Sequence, residues 1–307
     1  MAMGERAEVK AAASDALGRG DALARSLSRW AAAERILDEA RRLAEAGEAD
    51  APGMPKRVDD EPGFILQTRP WRESSLLLDV LTARYGRVFV VAKGAKRPGS
   101  QQRGLLTAFA PLRFAWTGRS EAKILVSADW LGSPPPLSGE ALLSGFYVNE
   151  LVLRLTVRED PSPALFAAYC AALLGLTQAD AAERNRALRV FERSLLAECG
   201  WALSVSEKHL DAALFCVVHQ GVLTPVWTPQ QAERFSRIER DARSAGAPVP
   251  QRYAPAAALA AAAGDFSTSE KLRCGRDILR EVIQFHLGVR GLKTRRVLSE
   301  LHALNRL

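Results

Sequence analysis

The chain lacks the long apolar run that a membrane helix needs. None of its 307 residues belongs to a stretch approaching the ~20 apolar residues that span a bilayer. The longest Ala-rich stretch, Ala256–Ala263, is short and weakly hydrophobic. The opening residues, MAMGERAEVK, alternate charges and contain no apolar core, so no secretory signal is expected. Cysteine is sparse. Cys170, Cys199, Cys216 and Cys274 lie far apart, with no framework of close spacings. They read as free thiols in a reducing cytoplasm.

Enzyme signatures are also lacking. Gly94-Ala-Lys-Arg-Pro-Gly-Ser100 has the two glycines of a phosphate-binding loop, but Ser stands where Lys must follow. Gly18-Arg-Gly20 lacks the third glycine of a dinucleotide fingerprint and follows no strand. There is no nucleophile elbow and no zinc-protease helix motif. Cys216 and His219 share a C-x-x-H spacing, with Cys199 and His209 upstream. A structural zinc normally needs a second close pair, so no metal is expected. His286 reads as a packed helix residue.

What remains is the composition of an ordinary globular protein, with 48% apolar and 25% charged residues. That length and mix favour two domains with a sizeable core. Lys and Arg outnumber Asp and Glu 42 to 35, a net charge of +7. This permits a nucleic-acid partner without requiring one.

Residues 1–53 form an extension rich in Ala, Arg and Glu. Leu23, Leu27, Trp30, Ala33, Leu37 and Ala40 mark one helical stripe. The reading is a loosely attached helix or a disordered tail; a start at Met54 is the alternative. Residues 54–137 carry five short apolar runs, at 64–68, 75–81, 87–93, 112–116 and 123–127. Tyr85-Gly86-Arg87 reads as a hairpin turn, with Gly supplying positive φ. Five strands in that span predict a small barrel of the OB-fold type. Ser133-Pro-Pro-Pro-Leu is a linker, since proline bars both helix and central strand. Residues 138–307 then turn helical, with Ser138 as the first cap. Further helices are expected at 164–176, 183–199, 267–287 and 294–304. Between about 203 and 255 the pattern fails, and Gly221–Trp227 suits a short hairpin. The fold class is therefore α+β and multidomain: a five-stranded OB-fold barrel, then a helical domain with a small irregular insert.

Charge is the informative signal. Val80–Ser120 holds eight basic residues and no acidic one. They include Arg84, Arg87, Lys93, Lys96, Arg97, Arg103 and Arg113. The segment contains the Gly-rich, polar loop 94–104, a flexible stretch suited to following a phosphate backbone. Trp71, Phe89 and Trp116 flank it as stacking platforms or as core. A second basic cluster spans 270–307, with nine bases against four acids. Arg273, Arg276 and Arg280 share a helix face beside an apolar stripe that includes Leu279 and Ile283. Such a face suits an acidic peptide with a hydrophobic end, or simply faces water.

Several stretches are distinctive together. They are Gly63-Phe-Ile-Leu, Arg69-Pro-Trp-Arg-Glu-Ser-Ser-Leu-Leu-Leu-Asp79, Tyr85-Gly-Arg87 and Val91-Ala-Lys-Gly-Ala-Lys-Arg97. Gly145-Phe-Tyr-Val-Asn-Glu-Leu151, Arg158-Glu-Asp-Pro-Ser-Pro163 and Phe191-Glu-Arg193 follow. Over roughly 58–304 the chain resembles the bacterial RecO family of DNA repair proteins. The resemblance implies a non-enzymatic recombination mediator without cofactor. It implies binding of single- and double-stranded DNA, annealing of complementary strands, and RecA loading with RecR and in some settings RecF. It also implies contact with the acidic C-terminal tail of single-stranded DNA-binding protein (SSB), which suits Arg273, Arg276, Leu279, Arg280 and Ile283. Arg69, Arg72, Arg87, Lys93, Lys96 and Arg97 are the DNA contacts it implies. Arg84, Arg103 and Arg113 are added from charge alone. A cytoplasmic, nucleoid-associated protein follows.

Two departures from the family pattern stand out. Some relatives carry paired cysteines of a zinc ribbon in the insert, which Cys216 and His219 do not reproduce. Residues 1–53 have no counterpart in that pattern. The competing reading is an OB-fold RNA-binding or translation-associated protein. A metal-dependent nuclease ranks last, because the basic stretch has no acids to hold metal.

Overall fold

The computed structural model describes residues 35–39, 41–45, 55–132, 136–205, 207–210, 212–247, 249–288 and 291–297. The first part is a closed barrel of five strands. These are β1 (Arg57–Trp71), β2 (Ser75–Thr82), β3 (Gly86–Ala92), β4 (Pro111–Thr117) and β5 (Ala122–Trp130). Their order around the barrel is β1-β2-β3-β5-β4, and β4 pairs back to β1. All pairs are antiparallel except β3–β5. Burial along β3 alternates residue by residue, as period-2 patterning requires. Ile65, Leu78, Val80, Val88, Val90, Leu112, Phe114 and Trp116 fill the interior. The five expected runs are these strands. β1 extends further toward the N-terminus, through charged residues that a register shift between Val58 and Glu61 accommodates.

The β2–β3 turn carries Gly86 at φ +64°. A Cβ there would lie 2.0 Å from the Asp160 carbonyl oxygen. Glycine thus serves both the turn and the close approach of the helical region.

That region begins with α1 (Gly139–Leu155), α2 (Pro163–Leu176) and α3 (Ala181–Glu198). Ser162 and Asp180 cap α2 and α3 by accepting from backbone N–H groups. Ser138 precedes α1 but its side chain makes no capping bond; Gly139 enters that helix at φ +53°. A single turn α4 (Glu207–Leu210) leads to the insert. The insert is ordered, not irregular. It comprises β6 (Phe215–His219), β7 (Val222–Val226), the long helix α5 (Pro229–Ser244) and β8 (Arg252–Tyr253). The β6–β7 turn is Gln220–Gly221, both at positive φ; the expected hairpin within Gly221–Trp227 is instead a single strand, β7, of a hairpin that begins at Phe215. The helices α6 (Pro255–Ala263) and α7 (Ser269–Leu287) close the unit, and 293–297 are helical. Part of the expected linker, 133–135, lies outside the described residues, as do 298–304 of the last helix.

Barrel and helices share one core. Phe64, Leu66 and Leu81 of the barrel join Val148, Leu151, Phe166, Tyr169, Phe191, Val282 and Ile283. Phe64 sits 5.2 Å from Tyr169, ring to ring. Residues 35–39 and 41–45 are helical, as the stripe predicts, but not loosely attached. Ile36 and Leu37 are buried in that same core.

Candidate nucleic-acid interface

Strand register defines the outer face of the barrel. Arg69, Leu77, Val91 and Ile124 form one row across β1, β2, β3 and β5. Gln67, Asp79, Phe89 and Ala122 form the next. Their neighbours Leu78 and Val90 point inward and are fully buried. Trp71, opposite Ser75 at the β1 end, is 45% exposed. The face is thus mildly apolar, with cations at its margins.

The basic loop after β3 is a chain of turns, not a flexible strap. Arg97 N–H donates to Gly94 O, Ser100 to Arg97, and Arg103 to Ser100. Ala95 and Leu106 are buried in the barrel core and anchor its two ends. Lys96 N–H donates to Ser74 O at 2.8 Å. That bond sets the loop against the turn bearing Trp71 and Arg72. Lys93, Lys96, Arg97 and Arg103 are exposed. Arg72, at φ +51°, is exposed with its guanidinium 5.8 Å from the Trp71 ring. These cations form one margin of the outer face.

Three other basic residues serve the architecture. Arg84 donates to Glu61, whose carboxylate is fully buried. Burial pushes the Glu61 carboxyl above its ordinary range, against the pull of Arg84. Arg87 is 11% exposed; it donates to Asp79 and to the Thr156 carbonyl of the helical region. Burial, together with the neighbouring Arg158 charge, lowers its pKa despite the pull of Asp79. Arg113 pairs with Asp60 and with Glu39 of the N-terminal helix. Of the other sequence candidates, Arg69, Arg72, Lys93, Lys96, Arg97 and Arg103 lie exposed on or beside the outer face.

The aromatics divide as well. Trp116 is fully buried, its indole N–H without a partner, and Tyr85 meets it edge-on at 5.6 Å. It cannot stack on a base. Phe89 lies on the outer face, with the Arg158 guanidinium 4.5 Å and the Arg69 guanidinium 5.9 Å from its ring centre. Asp79, nearly buried, accepts from Arg69, Arg87 and Arg158 at 3.1–3.2 Å. Sequence reading missed this network, although Asp79 and Arg158 both fall within the distinctive stretches.

On α7, Arg273, Arg276 and Arg280 are exposed, and Arg276 pairs with Asp277. Leu279 and Ile283 are fully buried in the shared core. The expectation of an apolar pocket beside those cations is therefore corrected: the helix packs its stripe against its neighbours, and only a charged row remains.

Cys216 is fully buried, and burial pushes its thiol up to about 11. His219 meets the Phe235 ring edge-on at 5.6 Å. Among the described residues, no group of three or more His, Cys, Asp or Glu is placed to hold a metal ion. None of the described helices is long and apolar enough to cross a membrane.

Comparison with known proteins agrees with this architecture. The family model described as "Recombination protein O N terminal" matches residues 58–134, and "Recombination protein O C terminal" matches 136–296. The DNA repair protein RecO of Aromatoleum aromaticum is 41% identical over 256 residues, covering 81% of this chain and 98% of that protein. RecO of Cupriavidus pinatubonensis is 37% identical over 299 residues, covering 89% and 96%. RecO of Ralstonia nicotianae is 35% identical over 292 residues, covering 94% and 99%. The last share is too large to leave out all of residues 1–53, so part of the extension has a counterpart after all. With an OB-fold barrel, a helical C-terminal region and both family segments in order, the chain belongs to the RecO family of DNA repair proteins.

Proposed function

We propose that the chain is a non-enzymatic mediator of homologous recombination. It binds single- and double-stranded DNA on the outer barrel face and anneals complementary strands. With RecR, and in some settings RecF, it helps load RecA onto SSB-coated strands in the nucleoid. The observation that carries this reading is the Lys96–Ser74 bond. It brings Lys93, Lys96 and Arg97 beside Arg72 and the exposed Trp71, so cations and a stacking surface converge. Cations displace counterions and bind any sequence; an aromatic face accepts any base. Sequence-independent binding of this kind suits a protein that handles whichever strands are broken.

The acidic tail of SSB engages the exposed row Arg273, Arg276 and Arg280 in this reading. Reversing Arg276 and Arg280 to Glu should weaken capture of a tail peptide by the full chain and leave its affinity for naked DNA unchanged. Unchanged capture places the tail elsewhere.

An RNA-binding role competes, since phosphates and bases are common to both polymers. Competition between matched single-stranded DNA and RNA, followed by annealing of SSB-coated oligonucleotides, tests the reading. Preferential RNA binding, or no annealing at any protein concentration, would overturn it.

A further inference from the structure

The geometry points to a second phosphate seat on the same DNA path, where the barrel meets the helical region. It is formed by Arg69 and by Arg158, whose guanidiniums both lie near the Phe89 ring. The inference rests on the DNA-binding reading above and extends it to a residue outside the barrel.

Arg158 follows α1, yet it is built into the barrel's outer face. The Glu159 N–H donates to the Arg87 carbonyl, and Arg87 and Arg158 form a parallel bridge. Lys123 is fully buried and donates to Glu159 at 2.6 Å. This fastening gives Arg158 a fixed position above Phe89. The Arg69 guanidinium lies near the same ring, from β1.

Asp79 orients these guanidiniums more than it neutralises them. One carboxylate receives Arg69, Arg87 and Arg158. Among the described residues, Glu121, 70% exposed, is the only other acid paired with this trio. Three positive charges thus face two negative ones, and one of those negative charges lies at the surface. A guanidinium has five N–H donors. Arg69 has one of them on Asp79; Arg158 has one on Asp79 and one on Glu121. Arg87 differs, because three of its donors are engaged and it is largely covered. Free donors therefore remain on Arg69, which is exposed, and on Arg158, which is half-buried. Forked donors held in place by a buried carboxylate suit a phosphodiester oxygen pair. Both cations also lie against the Phe89 ring, which helps to hold their planes in place. The seat spans the row of Leu77 and Val91, which holds Arg69, and the next row, which holds Phe89, and so continues the face that starts at Trp71.

The test uses the full chain and a labelled single-stranded oligodeoxynucleotide titrated across a salt series. Arg158→Gln should make the plot of log K against log[salt] shallower by about 0.7, the loss of one single-strand phosphate. Glu121→Gln removes only the competing surface acid. It should tighten binding at low salt, and the gain should fade at high salt. A purely structural Arg158 would lower thermal stability and leave the slope alone; Glu121→Gln would then be neutral. If both variants keep the wild-type slope and affinity while the triple variant of Lys93, Lys96 and Arg97 flattens the slope, the seat is refuted and the DNA reading stands. If none of the variants changes binding, the DNA reading fails and takes the seat with it. Should Arg158→Gln fail to fold, the Glu121→Gln arm decides by itself.

Discussion

The Lys96 amide and the Ser74 carbonyl are joined at 2.8 Å, and this bond fixes which side of the barrel the basic loop serves. Ala95 and Leu106 hold the ends of the loop in the barrel core, and this bond holds its start against the β1–β2 turn. With it, Lys93, Lys96 and Arg97 stand beside Trp71 and Arg72.

Replacing Lys93, Lys96 and Arg97 together by Ala should therefore weaken DNA binding for all sequences alike. Neutralising four to six phosphates gives a salt slope of roughly −3 to −4 for single strands. The triple variant should bring it near −1 to −2. Fluorescence anisotropy over a salt series checks this. An unchanged slope would mean that the loop is not the DNA surface.

Trp71 and Trp116 should respond in opposite ways. Trp71 is exposed beside the cations, and a stacked base is worth about 1–3 kcal/mol. Trp71→Ala should cost at least several-fold in single-strand affinity while the urea midpoint stays close to wild type. Trp116→Ala empties a buried site and should cost about 3–5 kcal/mol of stability. Equal affinity losses in two well-folded variants would contradict this division.

His286 supplies a pH dependence. Its ring stacks on Trp201 at 3.8 Å, and its Nε2 is buried without a partner. Burial lowers its pKa below the usual histidine value. The unfolded chain, with an ordinary His near 6.5, then takes up the proton first as pH falls. The contribution of neutral His286 is intact above that value and is lost progressively below it. Urea midpoints measured from about pH 8 to about pH 5 should fall less in His286→Phe than in wild type. Parallel curves would show that His286 is not a source of the acid sensitivity.

The N-terminal helix should behave as part of the core. Leu37→Ala should cost about 2 kcal/mol or more, because the side chain is buried. An unchanged thermal midpoint in that variant would return residues 35–45 to the status of an appendage.

The barrel was legible because its strands are short apolar runs bounded by Gly, Pro, Arg or Ser, and because Gly86 marks the β2–β3 turn. The helix 229–244 was not, since few of its residues are apolar and none of its described residues is buried. Its start was nevertheless written in Thr228 and Gln231, a capping box with both bonds present. The helix Pro255–Ala263 is hard to read for another reason: alanine on every face leaves no stripe, so the segment looks like a short apolar run and nothing more. The interface was half legible. A window without acids made Arg84 and Arg113 look free. Their partners Glu61, Asp60 and Glu39 lie upstream of that window and return through the fold. Leu279 and Ile283 misled for a similar reason, because an apolar stripe does not say whether its partner is another helix of the same chain or a ligand.

The barrel's seams are unequal in length. β1 and β2 share eight paired residues, whereas β3 and β5 share three. Local opening in a folded domain begins where the fewest backbone bonds must break. The parallel β3–β5 junction is thus the zipper end of the barrel, and its amides should exchange with solvent first. Val91 and Ile124 sit on that junction, so the surface assigned to DNA straddles the most readily parted strands. A bound strand lying across both would act as a clasp, and protection of those few amides would record its presence.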